Sequence, residues 1–407
     1  MTRPRRLHPW FSLISTLWAA AWVPVAQAAP YTPAADSVVV ETVPARALDP
    51  AAREMQALRQ AWRANPQDLD KATRLAWRYQ SEVAATGDPR YMGYIQAALQ
   101  PWWALPEPPI DVRILRAVVL QFDHRFEPAL VDLQAALAAE PDNATAAAWQ
   151  LAIRMVVADY AGARSSCEQM VDSVSALITV ACRAQVDAAT GSAGPAAAAL
   201  RAALLREPGA QAGADAGEKL WSLTRLAEIE ERRGDAAAAE AAFEQALALG
   251  QTDVYLLAAH ADFLLDRGRA ADVLLRLQGR GRADVLLLRL ALAAKVSGDA
   301  KAPDYARELQ ARFDAARLRG DTSHRKEEAR FVLAVHGDVP QALPLALRLA
   351  RENWAEQREA ADARVLLEAA LAARDRAAAA PVLKWLDDNR FEDVRLRPLA
   401  DRIKALP

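Results

Sequence analysis

Residues 220–249 read LWSLTRLAEIEERRGDAAAAEAAFEQALAL, and residues 254–277 read VYLLAAHADFLLDRGRAADVLLRL. Each stretch holds two amphipathic helical patterns on either side of a glycine. Leu223, Leu226, Ala227 and Ile229 stripe the first helix, and Ala239, Phe243, Ala246 and Leu247 stripe its partner. The turn falls at Gly234-Asp235 and recurs at Gly268-Arg269, 34 residues later. A lone helical hairpin leaves apolar surface uncovered, so hairpins repeating at this spacing must stack on one another.

The same punctuation extends in both directions. Turns fall near Gly87, His124, Ala158, Gly191, Gly234, Gly268, Gly298, Gly337 and Asp375, at spacings of 37, 34, 33, 43, 34, 30, 39 and 38 residues. The outlier of 43 carries a Gly/Ala insert, Gly209 to Gly217. Upstream, Asp49 suits an N-cap and Pro50 a first turn, with that helix ending before Pro66. Pro340 also suits a first turn, whereas Pro344 is expected to kink its helix. Apolar residues make up 53% of the chain and aromatics only 6%, so the core must be Ala and Leu in closely packed helices.

At Ala227, Gly234, Ala239, Phe243 and Ala246 the chain resembles the tetratricopeptide repeat family, with a small residue late in the first helix, Gly at the turn, and Ala–aromatic–Ala along the second. Ala117, Phe126, Ala129, Leu133, Ala136 and Pro141 repeat the pattern, as do Ala184, Gly191, Ala196, Leu200, Ala203 and Pro208. The fit loosens where Arg280 replaces the last small residue, and again beyond Pro340. The resemblance implies an all-α, right-handed superhelical solenoid of about nine stacked antiparallel hairpins over residues 49–407. In such an array each end unit is held on one side only.

The first 28 residues read as a secretory signal: Arg3, Arg5 and Arg6, an apolar run from Trp10 to Val23, and Ala26-Gln27-Ala28 before a cut at Ala29. The run is short for a retained membrane anchor, which is the alternative. Residues 29–48 form a Pro/Ala-rich extended leader whose valine patch, Ser37 to Val43, is either unstructured or laid along the array. Cleavage leaves 47 Lys and Arg against 52 Asp and Glu, a balance that gives no reason to expect nucleic acid or an anionic membrane as partner. The resemblance and the Ala/Arg-rich composition point to a bacterial protein, periplasmic or secreted.

Catalytic signatures are absent. The sequence has no phosphate-cradling Gly-rich loop with Lys, no HExxH and no nucleophile elbow, and we expect no cofactor and no metal. His124 sits at a turn and His260 on a packed face. His324 and His336 flank one helix roughly 18 Å apart, too far to share an ion. Trp102-Trp103 is either a ligand platform or a plug between the first hairpin and the array. Cys167 and Cys182 lie at nearly equal distance from the turn near Val174-Ser175, so antiparallel helices bring them level. In an oxidising compartment we expect a disulfide rather than two buried thiols, worth about 3 kcal/mol by loop entropy.

In the family, the exposed side of each first helix lines a concave groove. Counting back from the turns gives Trp221, Thr224, Glu228 and Glu231, then Tyr255, Ala258, Asp262 and Leu265. Members that grip a peptide's terminal carboxylate use Lys and Asn at places held here by Thr224, Glu228, Ala258 and Asp262, so that clamp is missing. An acidic wall with Trp221 and Tyr255 is expected to favour a protein or peptide segment carrying basic and apolar residues. The resemblance thus implies a non-catalytic scaffold or adaptor of the cell envelope. The alternatives are an all-helical enzyme acting on the cell wall, which needs an acid of perturbed pKa in a cleft, and an accessory subunit of an envelope transport or assembly complex.

Overall fold

The computed structural model describes residues 49–206, 216–337, 339 and 341–407. The expected signal peptide (1–28), the leader (29–48), most of the insert between Gly209 and Gly217, and Pro340 lie outside these residues. The chain divides into a unit ending at Arg53 and a compact unit, Glu54–Pro407, which holds every contact described below.

Helix α1 (Pro50–Ala64) runs across that division. Nine hairpins follow among the described residues. The first pairs α2 (Leu69–Thr86) with α3 (Arg90–Ala98), and a short α4 (Gln100–Trp103) leads out of it. The next three are α5 (Ile110–Phe122) with α6 (Phe126–Ala139), α7 (Ala144–Val156) with α8 (Tyr160–Met170), and α9 (Ala176–Ala189) with α10 (Ala193–Arg206). In the middle stand α11 (Ala216–Arg233) with α12 (Ala236–Ala248) and α13 (Val254–Asp266) with α14 (Ala270–Arg276). Then come α15 (Asp284–Ser297) with α16 (Ala302–Leu318), α17 (Arg325–His336) with α18 (Ala342–Glu356), and α19 (Ala360–Ala373) with α20 (Arg376–Asn389), followed by α21 (Leu396–Lys404). Partners within each hairpin pack together, and first helices pack on the first helices of neighbouring hairpins. Among the described residues the protein is an all-α array of consecutive helix pairs.

Backbone chemistry explains where the hairpins turn. Gly87, Gly191, Gly234, Gly268 and Gly298 adopt positive φ between the two helices of their hairpins. His124 (φ 57°), Ala158 (φ 62°) and Arg374 (φ 55°) take the same left-handed conformation without glycine. Asp159, Asp235 and Asp375 then cap the second helices by accepting from the amides of Gly162, Ala238 and Ala378. Gly337 departs from this scheme with φ −56°. Pro344 does not sit at a kink-forming position. It is the third residue of α18, where its missing N–H would have had no partner within the helix. Arg280 lies beyond the early end of α14, so no close helix approach needs a small residue there.

Small residues let the helices approach: Ala227, Ala239 and Ala246 are fully buried around Phe243. Cys167 on α8 and Cys182 on α9 are joined by a disulfide with Cα atoms 5.8 Å apart. Trp102 and Trp103 pack, half-buried, on the core formed by α1, α2, α3 and α5. The Trp103 carbonyl accepts from Arg116, which is also paired in bidentate fashion with Asp132. His260 is buried between Phe243 and Phe263, and desolvation lowers its pKa to about 4.

The array winds far enough for its ends to meet earlier hairpins. One continuous core contains residues of α5 to α9 together with α17 to α21. Across this seam the Arg358 amide donates to the Val156 carbonyl at 2.8 Å, Trp385 Nε1 donates to the Tyr160 hydroxyl at 3.2 Å, and the Val394 amide donates to the Arg232 carbonyl at 2.9 Å. His124 lies 2.8 Å from the Gln357 amide. The last hairpin is therefore held on two sides, not on one as a linear array would require. At the other end α2 packs on α13, with the Gly87 turn against Val254 and Ala283.

Candidate functional site

Winding turns the expected open groove into a chamber of about 650 Å³. Its wall is built from the inner faces of the first helices α2, α5, α7, α9, α11, α13, α15, α17 and α19. Helical spacing explains which residues reach it. Arg225, Glu228, Ile229 and Arg232 project from α11, while Tyr255, Ala258, Ala259 and Asp262 project from α13, three and four residues apart. On α19 the same spacing brings in Ala361, Arg364, Val365 and Glu368.

Of the expected groove residues, Glu228, Glu231, Tyr255 and Asp262 line the chamber, and Trp221 and Thr224 do not. Thr224 is 2% exposed, and its hydroxyl donates back to the Leu220 carbonyl at 2.7 Å. Trp221 is half-buried where two cores meet. Leu265 is half-buried against two cores as well. The phase therefore holds at the C-terminal end of α11 and fails at its start, where neighbouring hairpins cover the helix.

The expected acidic wall is neutralised from within. Eight carboxylates and eight Lys or Arg side chains line the chamber, so its formal charges balance. Glu228 pairs with Arg225 at 3.0 Å and accepts the Tyr255 hydroxyl at 2.5 Å, while the Arg225 guanidinium stacks 4.6 Å from the Tyr255 ring. Asp262 lies between Arg289 at 2.6 Å and Arg330 at 2.7 Å. Burial works to raise the Asp262 carboxyl, but the two arginines outweigh it and hold the group well below the usual carboxylate range. Arg364 joins α19 to α13 by pairing with Asp266 at 2.6 Å. Lys326 pairs with the buried Asp362 at 3.3 Å.

Glu231 is strongly perturbed in the opposite sense. Burial pushes it up to about 7 against the pull of Arg395, which sits 2.8 Å from one carboxylate oxygen. Asp266, Asp393 and Glu228 add to the upward shift, and the other oxygen has no hydrogen-bond partner among the described residues. Glu359 is also raised, by burial and then by Asp362, while its side chain and that of Asp362 cap α19 reciprocally. Half of the Tyr255 surface, 51%, stays open, but to this chamber, and burial there raises the phenol.

Sequence reading missed the cations that complete the site: Arg225, Arg289, Lys326, Arg330, Arg364 and Arg395. One signal was present. Arg225 precedes Glu228 by three residues on the same helical face. Nothing in the sequence joins Arg395 to Glu231 or Arg330 to Asp262. Among the described residues no group of three His, Cys, Asp or Glu could hold a metal ion. No described helix is long and apolar enough to cross a membrane.

No protein-family model matches the chain, and no curated protein matches it. Among solved structures, the human IFIT1 dimer with PPP-AAAA is 12% identical with a TM-score of 0.42, covering 84% of this chain and 86% of that one. The P58(IPK) TPR domain is 13% identical at TM-score 0.20, covering 89% and 95%. Naa15/Naa10 bound to HypK-THB is 13% identical at TM-score 0.23, covering 88% and 79%. Likenesses this distant carry no argument, and the fold rests on the hairpins of the chain itself.

Proposed function

We propose that this protein is a non-catalytic binding scaffold that holds a short, extended segment of a partner polypeptide in its inner chamber. The observation that carries this reading is the convergence of the first helices on one chamber lined by apolar, aromatic and charged groups. A peptide offers matching donors, acceptors and side chains of each kind. A chamber of about 650 Å³ has room for a segment of a few residues. The internal ion pairs cancel the net negative charge on which a preference for basic partners rested.

Export to the bacterial periplasm or exterior is part of the proposal. It is supported by the N-terminal leader pattern and by a disulfide, which persists in oxidising compartments. An accessory subunit of an envelope complex is the same reading with a named context. The test is hydrogen exchange of the mature chain with a mixed pentapeptide pool. Protection of the inner faces of α11, α13 and α19 is the expected result. Protection confined to the second helices, or none, would overturn it.

Glu231 is the acid the enzymatic alternative would use, with its carboxyl near neutrality. It is 6% exposed and engaged by Arg395, an arrangement that favours a structural role. Release of soluble fragments from peptidoglycan by the purified protein, lost in Glu231→Gln, would establish the catalytic reading instead.

A further inference from the structure

Charge is distributed unevenly around the chamber. All eight carboxylates and all eight Lys or Arg side chains of its wall lie between Arg225 and Arg395, from α11 onward. From α2 through α9, among the described residues, no Asp, Glu, Lys, Arg or His lines the space. Val83, Met92, Phe122, Trp149 and Met155 line it there, and Gln80, Gln121 and Gln185 add neutral amides. Phe122 and Trp149 pack half-buried on one core, that of α1, α2, α3 and α5, and leave part of their surface to the chamber. The two arcs close on each other. Helix α9 packs on α11, the Arg358 amide meets Val156, and the Gly87 turn lies against Val254. A neutral arc therefore faces a charged one across a single space.

The arcs accept different side chains. On the neutral arc a charged group loses its water and finds no counter-charge, whereas an apolar one gains by leaving water. On the charged arc the ions already hold one another: Asp262 with Arg289 and Arg330, Glu231 with Arg395, and Arg364 with Asp266 and Glu368. An added charge of either sign would have to compete with these pairs. An apolar group would strip them of water without compensation. A neutral polar side chain does neither. A guanidinium has five N–H donors and a carboxylate about four acceptor sites, so ions engaged in one pair still offer hydrogen bonds.

We propose that the chamber selects an amphipathic strand, an extended peptide whose alternate residues are apolar, turned to the arc from α2 to α9, and neutral polar, turned to the arc from α11 to α19. The inference names the class of peptide for the binding reading and rests on it. In an extended chain successive side chains point to opposite sides, so two unlike walls read alternate positions. The flexible thioethers of Met92 and Met155 let the neutral arc fit apolar side chains of different shape. The glutamine amides carry both a donor and an acceptor, the pair that a peptide backbone presents.

The experiment uses the full mature chain and pentapeptide pools capped at both ends. Two pools share one composition of apolar and neutral polar residues, alternating in the first and segregated into blocks in the second. The alternating pool should bind about tenfold tighter, the low end for withdrawing one large apolar side chain from water. Pools that alternate apolar residues with Lys, or with Asp, should bind more weakly than the neutral alternating pool. Ala84 stands exposed on the neutral arc, so Ala84→Glu places a charge there without disturbing a core. That variant should melt with the wild type and lose the preference for alternation. Gln80→Glu repeats the test with an isosteric charge. Equal binding of the alternating and blocked pools, tighter binding of a charged pool, or a preference kept in both variants overturns the strand and leaves the peptide reading standing. Binding of no pool overturns both.

Discussion

The two seams that close the chamber are built in opposite ways. At the C-terminal seam, α17 to α21 share one core with α5 to α9, and backbone and side-chain hydrogen bonds cross it at Val156, Tyr160 and Arg232. At the N-terminal seam the core of α1, α2, α3 and α5 stays separate from that of the middle hairpins, and contact is made where Gly87 meets Val254 and Ala283. A shared core must be disrupted to open the first seam. The second opens by parting small apolar surfaces, with no core to break. Hairpins of one type therefore do not make equal seams.

The largest effect should come from the shared core. Trp385 is 6% exposed, edge-on to Trp354 at 5.4 Å and bonded to Tyr160. Trp385→Ala should cost about 4 kcal/mol, read as a lowered urea midpoint. It should also speed amide exchange in α7 and α8, distant in sequence but on the same seam. A loss under about 1 kcal/mol with exchange unchanged in α7 and α8 would show that the seam is not shared.

At the weaker seam, Gly87 is required twice. Its φ is +66°, and an added Cβ would lie 2.7 Å from that of Ala283. Gly87→Val should cost about 2 kcal/mol in left-handed strain, with the extra contact prising α2 from α13. Faster exchange at residues 83–92 and 254–262, with α19 to α21 unaffected, is the expected pattern. Gly279→Val, at φ +73° with open space around it, should give the strain without the opening. Identical exchange in both variants would remove the distinction between the seams.

Titration sharpens the comparison further, because Glu231 and Arg395 meet on the stronger seam. The Glu231 pKa is raised from 4.5 to about 7, so the folded state holds a proton that the unfolded chain has released. The associated stability is fully present below about pH 4.5 and is lost as pH rises through 7, on the order of 3 kcal/mol for a shift of this size. Glu231→Gln should therefore melt above the wild type at pH 8 and lose the advantage by pH 5. A constant difference across that range would mean that Glu231 does not titrate there. The smallest change expected is a gain. Ala158 holds φ +62° at a turn where most hairpins use glycine, so Ala158→Gly should stabilise by about 0.5–1 kcal/mol, seen as a modest rise in melting temperature.

Local chemistry made the hairpins legible without coordinates. Gly234, Gly268 and their equivalents mark left-handed turns because L-residues are strained there, and Asp159, Asp235 and Asp375 start the second helices by capping them. Alanines such as Ala227 and Ala239 mark close helix approach for an equally local reason. Period, turns and the level placement of Cys167 with Cys182 all follow from interactions within or between adjacent units. What the chain by itself could not determine is the curvature that accumulates over nine such units. Small rotations at each interface add until Trp385 reaches Tyr160 and Gly87 reaches Ala283, partners separated by about two hundred residues. Tertiary structure alone therefore decided that the groove closes, that Asp262 finds Arg289 and Arg330, and that Glu231 finds Arg395. A pairing between distant helices depends on the sum of many interface angles, and no local sequence pattern records that sum.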